Sequence, residues 1–397
     1  MNPLPFAWRR SLRRSWSLCV LLAYVYLSSP RVAVAEDHIS AKWQDYAEDD
    51  GRVRVISRYF GVEKEISPNF VLKAHGVHDA ISGATPTGAP STDGNETVPK
   101  SNLVDVREAG VIDLDWIHGV NRTSFQFAYS SEDDFLSKGY SISNTSELNK
   151  RNTGVTTGIS IIDDTVRPNF FDTGRDKDSL DLFLGLSQVL DKNTVVALNF
   201  TYGEIDGYLN DPYKLTSQDV IIEPLPDVFI EILDRQFAEN RPGKRERRIV
   251  FGNVKRFFPE IRGSLDVDYR YFDDNWGIES HTIDFEWYQK FGDNLVIRPK
   301  FRVYRQSGAD FYGADFDGAS FDLNSDESGL GPYFASDYRL AKFDSETYGV
   351  KVVYKLNEKV GFDVDWERYV MKGKDEDTSQ DAFPSADILT IGSTLWF

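Results

Sequence analysis

Apolar and polar residues alternate with a period of two over most of this chain, the spacing that puts successive side chains on opposite faces of a strand. Leu265, Val267, Tyr269 and Tyr271 share one face of a run whose other face is Asp266, Asp268 and Arg270. Ile283, Phe285 and Trp287 oppose Asp284, Glu286 and Tyr288, and Phe362, Val364 and Trp366 oppose Asp363, Asp365 and Glu367. Val196, Leu198, Phe200 and Tyr202 form a further apolar face, and Leu180, Leu182, Leu184 and Leu186 another. The final run, Ile388 to Phe397, keeps Leu389, Ile391, Leu395 and Phe397 in phase.

Seven tight turns separate these runs: 67–69, 119–121, 149–152, 191–193, 259–263, 292–294 and 357–359. Each joins two alternating segments, as a hairpin requires. Between them lie longer Gly- and Asp-rich connections, at 80–102, 131–138, 164–177, 205–246, 274–277, 306–344 and 372–385. Short turns at one end and long loops at the other are the asymmetry of a transmembrane β-barrel, with the short turns periplasmic. Seven hairpins and the final strand make fifteen strands, while single-chain bacterial barrels have an even number. Ser40 to Asp45, followed by a tight outer turn at Asp49-Asp50-Gly51, supplies the sixteenth. The expected fold is therefore all-β, a transmembrane antiparallel barrel of about 16 strands.

The first 35 residues read differently. Four arginines between Arg9 and Arg14 precede an apolar stretch from Trp16 to Leu27 and the small-residue site Ala33-Val34-Ala35. That is the layout of a secretory signal peptide, with cleavage before Glu36 and residues 36–397 forming the barrel domain. An exported barrel closing on an aromatic residue points to the outer membrane of a Gram-negative cell, with Phe397 as the signal to the barrel assembly machinery. The lone cysteine, Cys19, lies in the leader. Disulfides, thiolate metal sites and haem attachment are thereby excluded from the rest. The chain carries a net charge of −18, and the leader holds five arginines and no acid. So acidic a domain excludes nucleic acid as a partner. Lipid and lipopolysaccharide of the outer membrane are the expected surroundings.

Chemistry is sparse. Arg298, Lys300 and Arg302 share the polar face of 295–305, and Asp284 and Glu286 point the same way from the neighbouring strand. With Asp266, Asp268, Arg270, Asp363, Asp365, Glu367 and His75 they are the candidates for lining a lumen. Two readings follow: a wall held rigid by ion pairs, or a transverse field that selects solutes. Pro299 removes a ladder hydrogen bond, and a bulge is expected there. In 205–246, Phe229, Ile232, Leu233 and Phe237 follow helical spacing with Asp227 as N-cap. That helix is either a surface cap or a constriction folded into the barrel. The Asp-rich loop 306–344 lacks most of the spacing of a calcium-binding loop, and neither metal nor cofactor is expected. No nucleophile elbow, zinc motif or phosphate loop occurs. An enzyme is not expected; a hydrolase would need Ser or Asp paired with His75 or His281.

Several stretches resemble a bacterial domain-of-unknown-function family of outer-membrane β-barrel proteins. They are Ser82 to Gly88, Leu209 to Lys214, Tyr269 to Thr282, Tyr304 to Tyr312 and Ala335 to Leu340, with Thr85 standing where the family pattern has Ser. The resemblance implies a barrel and brings no substrate or catalytic residue. The function expected is a porin-like channel or transporter for small hydrophilic solutes. The alternative is a closed barrel serving as scaffold or receptor for a periplasmic or surface partner.

Overall fold

The computed structural model describes residues 37–88, 97–168, 173–317, 319–323 and 330–397. The signal peptide expected over 1–35 lies outside these residues. The chain from Asp37 onward is one unit. Its strands are β1 (His38–Glu48), β2 (Arg54–Ser67), β3 (Phe70–Pro86), β4 (Lys100–His118), β5 (Asn121–Ser131), β6 (Phe135–Leu148), β7 (Thr153–Val166), β8 (Arg175–Asp191) and β9 (Thr194–Gly207). The second half holds β10 (Leu215–Leu225), β11 (Val228–Ala238), β12 (Lys244–Phe258), β13 (Gly263–Asp274), β14 (Glu279–Phe291), β15 (Leu295–Gln306), β16 (Phe343–Lys355), β17 (Val360–Gly373) and β18 (Ser385–Trp396). Sixteen of them close a barrel of antiparallel neighbours, and β10 and β11 form a separate two-stranded sheet.

Closure is made by β1 against β18, in register from His38 opposite Trp396 to Glu48 opposite Ala386. Full closure leaves no strand edge unpaired, which is why a barrel tolerates hydrocarbon. The first strand near Trp43 and the outer turn at Asp49–Gly51 are both present. All seven short connections fall between consecutive strands at one end. Gly119 and Gly292 occupy them with φ of 61° and 59°, backbone that other residues adopt at a cost.

The two faces of the wall differ as their residues require. Leu182, Leu184, Leu198, Ile161 and Trp366 are 41–56 % exposed on the outside, where hydrocarbon would cover them. At the rim that carries the short turns, Trp287 lies across Gly263, and a Cβ there would come within 2.3 Å of the indole. The aromatic thus fills the gap that the glycine leaves in the sheet. The inner face carries Asp79, Asp105, Asp115, Asp164, Asp266 and Asp365, all buried.

Two expectations are corrected. Pro299 introduces no bulge. The β14–β15 register is the same on both sides of it, Glu286 opposite Lys300 and Gln289 opposite Ile297, with the ladder merely interrupted between. The segment 228–237 is not a helix but β11, hairpinned to β10 through Asp227, which has φ 63° instead of capping a helix. A register shift between Gln218 and Val220 explains the misleading spacing, because an extra residue in one strand flips the phase of alternation. Asp234, at φ 50°, sits in that shift and donates its N–H to Asp219 Oδ1 at 2.8 Å.

Candidate functional site

The inner wall pairs its charges across strands. Lys300 lies 2.9 Å from Asp365 and 2.5 Å from Glu367. Arg302 meets Asp284 at 2.5 Å, Arg298 meets Glu286 at 3.6 Å and Lys351 meets Asp363 at 2.9 Å. Asp266 binds Lys255 at 2.8 Å and, with Asp268, receives the Asn253 amide. His75 sits on the inner face, its Nδ1 2.9 Å from where a Gly61 Cβ would be. His281 lies on the outer face, with Nδ1 2.8 Å from the Tyr269 hydroxyl.

Two cavities occupy the barrel, of about 680 and 700 Å³. Asp268, Arg270, Asp284, Arg302 and Glu367 line the second, and Arg270 lines both. Asp266, Glu286, Arg298, Lys300, Asp363, Asp365 and His75 line neither. Of the two alternatives for 229–237, a surface position is what the structure shows: Phe229 and Leu233 are 67 % and 64 % exposed on the hairpin, with Ile232 and Phe237 on the same strand.

What closes over the cavities comes instead from the hairpin's root and from the connection between β15 and β16. Asn240 and Phe334 exchange backbone hydrogen bonds of 3.0 and 2.9 Å, which joins the two connections. Leu215 N–H donates to the Thr87 carbonyl at 2.8 Å, and Lys214 Nζ donates to Thr85 Oγ1 at 3.1 Å and to the Pro86 carbonyl, which ties the root to the outer end of β3. Trp276, Ile278, Ala309, Ala335 and Leu340 pack into a small apolar core beside it.

A charge network fills this cap. Arg241 reaches Glu239 at 2.7 Å and Asp337 at 2.8 Å. Arg339 holds Asp337 through Nε at 2.9 Å and also reaches Asp211. Asp337 and Glu239 are 1 % and 2 % exposed, so neither carboxyl is solvated. Burial alone would raise both. For Asp337, Arg339 and Arg241 outweigh it and hold the carboxyl far below the usual range. For Glu239, burial outweighs Arg241 and the Asp211 N–H, the anionic Asp337 adds to it, and the carboxyl is pushed up to about 7. Burial also lowers the Lys214 ammonium.

Across the first cavity, Asp105, Glu132 and Asp134 bring carboxylate oxygens within 4.8 Å of one another. The protein itself supplies partners: Tyr213 donates to Asp134 at 2.5 Å, and the Val106 and Asp133 N–H groups donate to Asp105. Burial, then Asp105, raises Glu132.

Alternation could not reveal the cap residues, which lie between strands. The resemblance did carry a signal. Its five stretches supply Thr85, Asp211 and Lys214, Arg270 and Trp276, Tyr304, and Asp337 and Arg339, which meet around the two cavities.

No curated protein matches this chain in sequence. Among solved structures it is similar to CdiB from Acinetobacter baumannii, at 8 % identity and TM-score 0.50, over 91 % of this chain and 61 % of that one. It is also similar to the siderophore receptor PirA from Pseudomonas aeruginosa, at 10 % identity and TM-score 0.41, over 91 % and 62 %. OmpT, an outer membrane protein of Vibrio cholerae, aligns at 10 % identity and TM-score 0.42, over 93 % and 100 %. The chain thus spans about three fifths of the length of CdiB and PirA. At such identities the likeness is one of fold, the closed barrel of outer-membrane proteins. The family described as "Protein of unknown function (DUF3570)" matches residues 15–173 and 171–389, and the chain belongs to that family.

Proposed function

We propose that this barrel is a porin-like passage for small hydrophilic solutes across the outer membrane, narrowed at its outer mouth by the cap. The observation that supports this reading is the charged inner face surrounding two cavities of about 680 and 700 Å³ under loops instead of a packed apolar interior. Sixteen strands enclose a bore wide enough for water, and paired charges across it make a field through which dipolar solutes orient. Planar bilayers containing the folded protein are expected to show stepwise currents. Silence at every voltage, with folding verified, would count against a passage.

One observation favours the second reading, a closed barrel acting as receptor or scaffold. The cap buries Asp337 and Glu239 with Arg241, and such a network resists opening because a separated partner is left charged and dry. A protein co-purifying after mild detergent extraction, together with absent conductance, would support it.

A further inference from the structure

The geometry points to a binding site for a small organic monoanion with a flat apolar face, seated inside the barrel where the two cavities meet and recognised by Arg270 with Arg339. This rests on the reading of the lumen as accessible to solutes. Among the described residues, Arg270, Tyr304 and Arg339 alone line both cavities.

Arg270 is unlike its neighbours. Among the described residues the other cations of the second cavity are engaged: Arg302 by Asp284, and Arg339 by Asp337 and Asp211. Among the described residues the Arg270 side chain makes neither an ion pair nor a hydrogen bond; its guanidinium carbon lies 5.7 Å from the Phe272 ring centre. The strand register explains why. Its partners across the ladder are Phe251 on β12 and Thr282 on β14. Further along the same row stand Asn199, Tyr304, Ser345 and Met371, with no carboxylate among them. The cavity's own acids are committed elsewhere. Glu48 takes Arg52, Asp284 takes Arg302, Glu367 takes Lys300, and Asp268 accepts the Asn253 amide. Arg339 reaches the same place from the cap. Its Nε and Nη2 serve Asp337 and Asp211, Nη1 donates to nothing among the described residues, and half of its side chain is exposed.

A guanidinium with an unused donor fork matches a carboxylate or sulfonate, and does so better than a point charge. Beside its paired charges and the hydroxyls of Thr282, Ser345 and Thr347, the second cavity's wall presents six aromatic rings, those of Tyr46, Phe251, Tyr304, Tyr338, Phe343 and Tyr369. Such a wall favours a flat ring over a hydrated inorganic anion.

Calorimetric titration of the detergent-folded protein at pH 7 tests this with three probes of one shape: benzoate, benzyl alcohol and benzylamine. Benzoate is expected to bind at least about tenfold more tightly than the other two. Arg270→Gln should weaken benzoate about tenfold or more, the loss expected for one charge-assisted hydrogen bond. Arg270→Lys should fall between, while Arg248→Gln, on the outer face, should change nothing. Retention of the compact, heat-modifiable form on gels verifies folding of each variant. Benzyl alcohol binding as tightly as benzoate, or unchanged benzoate affinity in Arg270→Gln, overturns the site. A barrel that conducts without binding benzoate sinks this inference alone, whereas one that binds benzoate and passes no current sinks only the passage.

Discussion

The wall from β14 to β17 and the cap above it use the same residue types to opposite effect. In the wall, cations and carboxylates face each other across hydrogen-bonded strands, and several remain partly wet: the Arg302 side chain is 58 % exposed beside Asp284. Pairs of that kind contribute little, because water competes for both charges. In the cap, Asp337 is dry, shared by two arginines that come from connections far apart in the chain. Its net worth is not the sum of its contacts, yet removing one member strands the others. The lesson is that ion pairs line the bore where they are wet and tie distant connections together where they are dry.

The sharpest way to break this contrast is Asp337→Asn. It removes the carboxylate that Arg241 and Arg339 share and leaves them only Glu239 and Asp211, at an expected cost to the cap of about 3–5 kcal/mol. Protease cleavage within 208–243 should accelerate and conductance should rise, while the barrel itself stays heat-modifiable. Unchanged protease resistance would show that the cap is held by its apolar core instead.

Next comes pH. Glu239 is raised from 4.5 to about 7 in the closed cap. A carboxyl raised on folding contributes fully below its ordinary value, and that contribution is lost as pH climbs through the folded one. The cap should therefore be tighter at pH 5 than at pH 8, with less current at pH 5, and Glu239→Gln should flatten the dependence. Asp337, shifted the other way, does not titrate in that window.

A smaller effect is expected in the wall. Lys300→Ala frees Asp365 and Glu367 for about 1–2 kcal/mol. Its readout is a reversal potential moved toward cation selectivity, and an unmoved potential would place the limiting section elsewhere. Smallest of all, Phe229→Ser on the exposed hairpin should change barrel stability by less than about 0.5 kcal/mol. A larger loss in a melting experiment would mean that the hairpin packs on something.

Strands, turns and the strand near Trp43 were legible because each depends on residues adjacent in sequence and on the arithmetic of closure. Pro299 was over-read, since a proline can drop one rung of a ladder without adding a residue. The segment at 228–237 was misread because a bulge mimics helical spacing when it breaks alternation once. His75 and His78 fall on opposite faces, as neighbours three apart on a strand must.

Period-two alternation, turn chemistry and parity are thus local properties, and they suffice for a sixteen-stranded barrel with a polar interior. Which inner-face arginine lacks a partner is not local. Arg270 looks in the sequence like Arg298 or Arg302. Only the register, which sets Phe251 and Thr282 beside it, and the packing of two distant connections, which brings Arg339 to the same cavities, separate it from them. Side-chain pairing across a closed sheet depends on the offset between strands, and cap geometry on contacts between residues about a hundred positions apart, such as Arg241 and Asp337.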